Sequence, residues 1–470
     1  MALLQYVRKL FYVIQSISHF MYLASSLKKS SFGQEFVWGT ATAAAQIEGA
    51  FLADGKGLSI WDTFSALRGK IKQNHHNQVA CNFYYNYPND VRLMKEMNIK
   101  HHRFSIAWTR VLPEGVGKPN QKGLDFYDRL IDFHLECGIT PWITLYHWDL
   151  PQILENQGGW TNREILNWFA EYVNLCTRKY GDRVKNWMVL NEPMVFTGAG
   201  YFLGVHAPGR KWLNNFLPAC HHAALAMGVG GRIVRQNVKN AHLGTTFSCS
   251  WIEPYRPEKE LDKQAAFRVD ALLNRLFLEP VLGLGYPIQD IPLLKKIEKY
   301  FLPEDEKLLP FEFDFIGVQN YTREIVKYSF LTPYINAEII PGNKRNVLHT
   351  LMNWEVYPES IYHILKKYHA YPQIKKLIVT ENGAAFEDHL HHNEVYDTKR
   401  LQFLQEYIYQ VFRAKQEGVN VQGYFVWTFM DNFEWAEGYS PRFGIVYVDF
   451  DTQKRIVKES GRWYANFLSE

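Results

Sequence analysis

Two glutamates stand at or next to the ends of short apolar stretches, which is where catalytic carboxyl groups lie in parallel barrels. Glu192 follows residues 187–190 and stands in Asn-Glu-Pro. Glu381 follows residues 377–380 and stands in Glu-Asn-Gly. An abrupt change from apolar residues to a carboxylate indicates the end of a buried strand, and active sites of parallel barrels are built from strand ends. The two glutamates therefore predict one shared site with paired acid chemistry.

Strands and helices must position these carboxyl groups. Short apolar or β-branched stretches, which predict strands, recur along the chain, and a longer segment of helical periodicity follows each of them. The predicted strands cover residues 36–42, 100–106, 141–147, 186–191, 242–248, 313–320, 376–381 and 421–428. The predicted helices cover residues 86–97, 123–137, 162–180, 219–239, 263–276, 359–368 and 397–417. Eight alternating units favour one (β/α)8 TIM barrel of the α/β class over an open doubly wound sheet.

The chain is longer than a minimal barrel requires. It has 470 residues, whereas a minimal barrel has roughly 250, and no low-complexity linker divides it. We assign the extra length to loops that follow the strands and would wall a deep pocket, chiefly 43–85, 193–218, 249–262 and 322–358. We therefore predict one catalytic (β/α)8 barrel domain over residues 34–470, with extended βα loops.

Residues 1–33 differ in character from the rest of the chain. A mostly apolar run from Leu10 to Leu27 is interrupted by polar residues and flanked by basic ones. The run is polar for a membrane span, and no clear cleavage motif follows it. We interpret residues 1–33 as an N-terminal extension, which is a tail, a mis-start with Met21 as the true start, or a targeting segment. The predicted location is cytoplasmic without stable membrane insertion, and export is the alternative if the segment is a genuine signal or anchor.

Composition narrows the classes of partner and cofactor. The net charge of +4 is small and no basic block with interleaved aromatics occurs, so nucleic acid is not expected as a partner. Aromatic residues make up 16% of the chain, which suits sugar binding because sugar faces stack on rings. The five cysteines lack CxxC pairs and are interpreted as buried free thiols. The histidine pairs lack metal-ligand spacing, so neither a metal nor another cofactor is expected.

Polar, planar and aromatic side chains stand at or just beyond the ends of most predicted strands. In chain order they are Gln46, Arg103, His147, Asn191, Glu192, Gln319, Asn320, Tyr321, Glu381, Trp427, Glu434 and Trp435. Such a set suits a small ligand with many hydroxyl groups and no charge. The expected partner is therefore a carbohydrate.

Five groups of motifs, in order and with consistent gaps, resemble glycoside hydrolase family 1, the retaining β-glucosidase family. They are Phe-Val-Trp-Gly at 36–39 with Gln-Ile-Glu-Gly at 46–49, His-Trp-Asp-Leu-Pro at 147–151, Leu-Asn-Glu-Pro at 190–193, Thr-Glu-Asn-Gly at 380–383, and Asn-Phe-Glu-Trp at 432–435. The resemblance runs from about Phe36 to the C-terminus. It implies a β-glucosidase that acts by a two-carboxylate double displacement, with cellulose degradation among the settings of such enzymes.

The resemblance also implies a role for each carboxyl group. Glu192 would be the general acid/base and Glu381 the nucleophile, with Arg103 and Tyr321 holding the nucleophile. A retaining mechanism needs one protonated and one ionised carboxyl group at the anomeric carbon. A guanidinium favours the ionised form of a neighbouring carboxylate, and a phenol can donate a hydrogen bond to it.

A sugar pocket follows from the same resemblance. The residues implied for the sugar hydroxyl groups are Gln46, His147, Asn191, Glu434 and Trp435. Trp427 would be the floor on which the sugar stacks, and Trp354 would form a wall on the leaving-group side.

Two details set this sequence apart from parts of the family. The 6-phospho-glycosidases have a serine and a lysine after the eighth strand, where this chain has Glu434, so the resemblance implies an unphosphorylated sugar. Gln-Asn-Tyr-Thr at 319–322 stands where many relatives have Asn-Tyr-Tyr. The difference at 319–322 removes no catalytic group.

Three functions remain open from the sequence. The first is an exo-β-glycosidase that hydrolyses terminal β-D-glucosyl residues of a β-glucoside or short β-linked oligosaccharide, with β-galactosidase or β-fucosidase side activity. The second is a catalytically inactive family member that binds a glycan or serves as a receptor, although such proteins typically lose a catalytic glutamate. The third is a transglycosidase, which the two glutamates do not distinguish from a hydrolase. The natural aglycone and the oligomeric state, including a homo-oligomer, stay open as well.

Overall fold

The computed structural model describes Ala24 and residues 26–470. Its central sheet consists of β1 (Val37–Ala41), β2 (His101–Ser105), β3 (Thr140–Tyr146), β4 (Asn186–Asn191), β5 (His242–Ser248), β6 (Phe315–Gln319), β7 (Leu377–Asn382) and β8 (Val421–Trp427). All neighbours in this sheet are parallel, and β8 pairs with β1, so that the sheet closes. The predicted (β/α)8 barrel is thereby confirmed, strand by strand.

A helix lies between each strand and the next, and one more follows β8. These helices cover Phe83–Glu96, Gln121–Glu136, Ile165–Tyr180, Leu213–Asn237, Glu260–Asp270, Glu359–His369, Thr398–Gln416 and Glu459–Ser469. In the second of them the buried residues Leu124, Tyr127, Leu130 and Ile131 recur at intervals of one, three or four positions. That spacing gives the helix one apolar face, which it packs toward the barrel. The last helix is additional to the predicted ones.

Shorter helical segments lie in the loops. They cover Ala44–Ile47, Ile60–Ser65, Trp108–Val111, Gln152–Asn156, Pro193–Thr197, Gly198–Leu203, Leu278–Val281, Pro292–Tyr300 and Asp305–Leu308. Helix Pro193–Thr197 matters most for the site, because it begins directly after Glu192 with proline in its first turn. Proline suits that position, since its fixed φ is already helical and its missing N–H is not needed there.

Large side chains fill the inside of the barrel. Trp142, Met188, Phe315, Ile378 and Phe425 belong to one buried cluster, and each is at most 2% exposed. The inside is therefore a packed core rather than a channel, as expected for eight strands. The five cysteines all fall within the described residues, where they are buried and free.

The long loops carry strands that the apolar pattern does not predict. Trp251–Pro254, in the loop after β5, pairs in parallel with Arg323–Tyr328, in the loop after β6. Arg323–Tyr328 also pairs in antiparallel fashion with Ala337–Ile339. Two small hairpins, Leu390–His391 with Glu394–Val395 and Val446–Val448 with Arg455–Val457, follow β7 and β8. These strands give the loops around the pocket a hydrogen-bonded framework.

A buried ion cluster ties the start of the last helix to the loops that follow β7 and β8. Lys458, which is fully buried, pairs with Asp431 at 2.7 Å and with Asp388 at 2.5 Å. Arg400 pairs with Asp388 at 3.0 Å and also with Asp397. Loss of one member of a buried ion network leaves an uncompensated charge. The cluster therefore holds these three segments in one arrangement.

Most of the expected N-terminal extension, residues 1–23 and 25, lies outside the described residues. Lys29–Phe32 form a short 3-10 helix. The ring of Phe32 packs against Phe36 and Trp38, with ring centroids 4.7 and 4.8 Å apart. Among the helices of the described residues, none combines the length and the hydropathy that crossing a membrane requires.

Candidate active site

A pocket of about 280 Å³ opens at the C-terminal end of the barrel. The predicted site residues that line it are His147, Glu192, Tyr321, Trp354, Glu381, Trp427, Glu434 and Trp435. Gln46, Arg103 and Asn191 lie buried behind this lining and are joined to it by hydrogen bonds. The strand ends thus bring these eleven residues together around one volume suited to a small ligand.

The carboxylate of Glu381 is held by three donors. The Tyr321 hydroxyl donates to Oε2 at 2.6 Å, and the Gln319 amide donates to Oε1 at 2.8 Å. The guanidinium of Arg103 donates to Oε1 as well and forms a buried ion pair with it. Arg103 is in turn fixed by its Nε–H, which donates to the hydroxyl of Thr144 at 3.0 Å. The orientation of the carboxylate is therefore set by the protein itself.

Glu192 lies in a different environment. It follows β4 with a φ of 43°, in the left-handed region that residues with a side chain rarely adopt. Such backbone conformations persist where the surrounding structure enforces them, and here the Glu192 N–H donates to the carbonyl of Thr246 at 3.0 Å. Helix Pro193–Thr197 begins at the next residue. The sharp turn directs the Glu192 side chain into the pocket beside Ser248.

The two carboxyl groups are pushed toward different protonation states. Burial and the charge of Glu381 raise the pKa of Glu192 well above its ordinary value. Burial also raises the pKa of Glu381, but the charge of Arg103 and the hydrogen bond from Tyr321 oppose this and limit the rise. When two carboxyl groups share a site, ionisation of the first opposes ionisation of the second. The arrangement favours an ionised Glu381 beside a protonated Glu192.

Asn191 and His147 form a fixed hydrogen-bonded pair. The Asn191 carbonyl oxygen accepts from Arg103, from Gln319 at 2.8 Å and from Thr246 at 3.0 Å, so its NH₂ is the donor toward His147 Nε2 at 3.0 Å. Burial lowers the pKa of His147 well below its usual value, and the imidazole is neutral. Its proton is then on Nδ1, which has no acceptor among the described residues.

Glu434 lies beside a second unsatisfied group. The Gln46 amide NH₂ donates to the carbonyl of Phe433 at 2.9 Å, to Asn432 at 3.1 Å and to Glu434 at 3.4 Å. The side-chain oxygen of Gln46 has no donor within the described part of the chain. Buried polar groups without partners are rare in native proteins. The side-chain oxygen of Gln46 can accept a hydrogen bond and the Nδ1–H of His147 can donate one, so a ligand rich in hydroxyl groups can pair with both.

Glu434 would ordinarily be an anion near neutral pH, but its surroundings favour the neutral form. Burial and the charge of Glu381 raise its pKa to about 8, against the lowering effect of hydrogen bonds from Gln46 and Trp427. Near neutral pH Glu434 is mostly protonated and can both donate and accept. Among the described residues that line the pocket there is no lysine or arginine. The pocket lining therefore offers no cation to a phosphate group, and a mostly neutral Glu434 would repel one only weakly.

Aromatic rings form the sides of the pocket. The ring of His147 stacks on Trp427 with centroids 5.9 Å apart. Trp435 is held between Trp148 and Trp61, at 4.5 and 4.6 Å. On the other side, Trp354 packs against Tyr321 at 5.3 Å. These contacts fix the rings that the sequence assigns to the sugar and to its leaving group.

Gly383 allows the ends of β7 and β8 to approach each other. A Cβ atom at this position would lie 1.7 Å from the carbonyl oxygen of Trp427, a distance that no side chain tolerates. Glycine in Thr-Glu-Asn-Gly is therefore needed so that Glu381 and Trp427 can line the same pocket.

Several residues near the pocket have roles that the sequence pattern does not reveal. Ser248, Ser250 and Glu324 line it, and the first of these could have been found as the last residue of β5. Gln319, whose alignment with relatives differs, donates to Glu381. Asn320 does not face the pocket, because its amide donates to the carbonyls of Cys249 and Thr322 and to the Ser360 hydroxyl.

A TIM barrel with paired carboxyl groups at the ends of two strands, in a pocket lined by polar and aromatic side chains, is typical of the glycoside hydrolases. The sequence profile of Glycosyl hydrolase family 1 matches residues 28–470. The chain belongs to this family.

Two similar proteins and two similar solved structures agree with membership of this family. Beta-glucosidase A of Thermotoga maritima is 45% identical over 443 residues, which are 93% of this chain and 97% of that protein. Beta-glucosidase A of Acetivibrio thermocellus is 45% identical over 447 residues, 94% of this chain and 99% of that protein. The solved structure of the beta-glucosidase from Thermotoga maritima in complex with deoxynojirimycin has a TM-score of 0.90 at 44% identity, covering 93% of this chain and 98% of that one. The complex of the same enzyme with glucoimidazole has a TM-score of 0.89 at 44% identity and the same coverage.

Proposed function

We propose that this protein is a retaining exo-β-glycosidase that releases terminal β-D-glucosyl residues from β-glucosides and short β-linked oligosaccharides. The proposal rests on one observation: two carboxyl groups in one pocket have different hydrogen-bond partners and different electrostatic surroundings. Arg103 and Tyr321 hold Glu381, whereas burial and repulsion raise the pKa of Glu192. The relatives named above are β-glucosidases, and the inhibitors in their structures support a small glycoside as substrate.

In the first step Glu381 is the nucleophile and Glu192 the general acid. An electron pair of the Glu381 carboxylate forms a bond to the anomeric carbon. The bond from that carbon to the glycosidic oxygen breaks, its electron pair stays on the oxygen, and the oxygen takes the proton of Glu192. Arg103 and Tyr321 orient the attacking carboxylate before the substrate arrives.

In the second step Glu192 is the general base. Glu192 gave up its proton in the first step, and esterification removes the charge of Glu381 that had raised the pKa of Glu192, so Glu192 stays ionised. It accepts a proton from a water molecule whose oxygen attacks the anomeric carbon. The bond to Glu381 breaks and its electron pair returns to the carboxylate. Two displacements at one carbon restore the β configuration.

The sugar would be held by the groups beside this pair. We assign hydrogen bonds with its hydroxyl groups to Gln46, His147, Asn191, Glu434 and Trp435, and the stacking face to Trp427. A protonated Glu434 can donate to one hydroxyl and accept from another, which is compatible with either configuration at C4. We therefore include β-galactosidase and β-fucosidase side activity in the proposal.

The test is a panel of p-nitrophenyl glycosides with the purified full chain: β-glucoside, β-galactoside, β-fucoside, α-glucoside and β-glucoside 6-phosphate. We expect the highest kcat/KM for the β-glucoside and little turnover of the α-anomer or the phosphate ester. Proton NMR of the first product formed from the β-glucoside should show β-glucose. A folded protein that turns over none of these substrates, or one that releases α-glucose first, would contradict the proposal.

A further inference from the structure

The wall of the pocket formed by the loops after β5 and β6 carries a carboxyl group that the reaction above does not use. Glu324 is the second residue of strand Arg323–Tyr328 and lines the pocket with Ser250 and Trp354. Its neighbour Arg323 donates to both carboxylate oxygens of Glu355, at 2.8 and 2.9 Å. Because successive side chains of a strand point to opposite faces, Arg323 faces away from the pocket and Glu324 toward it.

The carboxyl group of Glu324 has no ion-pair or hydrogen-bond partner within the described residues. Arg345 acts on it only through its charge, since the Arg345 guanidinium donates to Glu355 at 2.7 Å. Burial raises the pKa of Glu324 to about 7. Glu324 is only partly exposed, at the pocket wall, and a carboxyl group in such a place without a protein partner is stabilised by a ligand that supplies donors. Both nearby guanidinium groups are committed to Glu355, so the protein leaves Glu324 available.

The position of Glu324 is on the leaving-group side. Of the groups assigned to the transferred sugar, Gln46, His147, Glu434 and Trp435 come from the loops after β1, β3 and β8, and Asn191 and Trp427 are the last residues of β4 and β8. Glu324 and Ser250 come from the loops after β6 and β5. Ser248, two residues before Ser250, hydrogen-bonds to Glu192. Glu192 is the group that protonates the leaving oxygen in the proposed reaction. We therefore place the group attached to that oxygen on the side of the pocket that Ser248, Ser250 and Glu324 line.

We propose that Glu324 accepts hydrogen bonds from the hydroxyl groups of a sugar in the leaving-group position, which makes glycosyl leaving groups preferred over simple alkyl ones. The inference rests on the proposed function and deepens it. Trp354 supplies an aromatic face on the same pocket, and a ring face combined with a carboxyl acceptor suits a sugar. An alkyl group at this place would leave the carboxyl group desolvated and unpaired.

The experiment compares cellobiose with methyl β-glucoside. Both have poor leaving groups that need the proton of Glu192, but only cellobiose has hydroxyl groups to offer to Glu324. The measured quantity is kcat/KM for cellobiose divided by kcat/KM for methyl β-glucoside. In E324A we expect this ratio to fall about tenfold or more, because a hydrogen bond to a charged group is lost. In E324Q, which keeps the shape and one acceptor, the ratio should fall about threefold. Glu338, on the adjacent strand and paired with Lys327 at 3.2 Å, gives the control E338A, in which the ratio should stay unchanged.

The outcomes separate this inference from the proposed function. Hydrolysis of p-nitrophenyl β-glucoside by the unmodified protein tests the function alone, because its leaving group needs no protonation and no hydroxyl contact. If the unmodified protein hydrolyses all three substrates but E324A and E324Q keep the original ratio, Glu324 does not bind the leaving group. The same conclusion follows if both variants lose activity equally on cellobiose and methyl β-glucoside. A fall of the ratio in E324A, with a smaller fall in E324Q, supports the inference.

Discussion

The hydroxyl of Tyr321 donates a hydrogen bond of 2.6 Å to Oε2 of Glu381. This bond lowers the pKa of Glu381, so its removal in Y321F should raise that pKa. A nucleophile must be ionised, and the acidic limb of the profile of kcat/KM against pH should therefore move to higher pH. At the optimum we expect kcat/KM for p-nitrophenyl β-glucoside to fall about 10- to 100-fold, as for a lost hydrogen bond to a charged group.

The matched control for Y321F is Y255F, since Tyr255 is exposed and lies away from the pocket lining. It should leave both the rate and the acidic limb unchanged. If Y321F lowered the rate without moving the acidic limb, Tyr321 would orient Glu381 without favouring its ionised form.

The roles of the two carboxyl groups can be told apart by the anomer that an added nucleophile produces. In E381A we expect kcat to fall about 10⁴-fold or more. Azide can occupy the space left by the missing carboxylate and attack from that side, so it should restore turnover of 2,4-dinitrophenyl β-glucoside and give α-glucosyl azide.

The acid/base variant E192A should behave in the opposite way with the same substrate. Its activated leaving group departs without a proton, so Glu381 can still form the ester. Azide would then attack on the side of the missing Glu192 and give β-glucosyl azide. Proton NMR of the products distinguishes the two anomers, and β-azide from E381A would reverse the assignment of the two glutamates.

The buried carboxyl group of Glu434 should weaken the folded state as pH rises. Its pKa of about 8 in the folded protein is above the ordinary value near 4.3 that applies when the chain is unfolded. Between these two values the unfolded chain ionises while the folded one holds its proton, so stability falls by up to about 1.4 kcal/mol for each pH unit. E434Q cannot ionise, and its gain in Tm over the unmodified protein should grow from pH 5 to pH 8.

Thermal unfolding followed by circular dichroism at several pH values measures this difference. Glu437 lines the same pocket, but its side chain is 44% exposed and pairs with Lys72 at 3.3 Å. E437Q is therefore the control, and its difference in Tm should depend less on pH. A gain in E434Q that does not change with pH would indicate a packing effect and not a titration.

Substitution of Gly383 should damage the site through the backbone. In G383A the new methyl group would meet the Trp427 carbonyl oxygen at 1.7 Å, which forces the ends of β7 and β8 apart. We expect a loss of about 2 kcal/mol or more in the free energy of unfolding and a drop in kcat/KM for p-nitrophenyl β-glucoside. G198A is a suitable control, because the nearest atom to its new methyl group is the flexible end of Met194 at 3.1 Å. Equal stability in the two variants would contradict the close approach of the strands.

The barrel strands could be predicted chiefly because burial on both faces leaves apolar or β-branched runs in the sequence, although β2 consists of His-His-Arg-Phe-Ser. Glu192 and Glu381 could be located for the same reason, since a parallel barrel gathers its strand ends at one edge. Strand Arg323–Tyr328 could not be predicted in this way. It lies in a loop, and its polar residues face ion pairs on one side and the pocket on the other. No apolar period marks such a strand, and Glu324 went unassigned with it.

Ionisation states were the second feature that the sequence could not supply. The type of residue at position 434 was readable, but its pKa depends on burial and on the distance to Glu381, both of which are set by folding. The same holds for the ion cluster around Lys458, whose members stand up to 70 positions apart. Charged residues with such separations look like ordinary surface residues until the fold brings them together.

The Lys458 cluster has a consequence for the order of events during protein synthesis. A ribosome makes the chain from its N-terminus, so Glu192 and Glu381 leave the exit tunnel long before Lys458 does. Until then Asp388 and Asp431 lack the ammonium group that joins them, and the loop after β8, which carries Glu434, is not anchored to the loop after β7. The nascent chain therefore contains both carboxyl groups before the pocket is held together, and the pocket is complete only after the segment that carries Lys458 has been made.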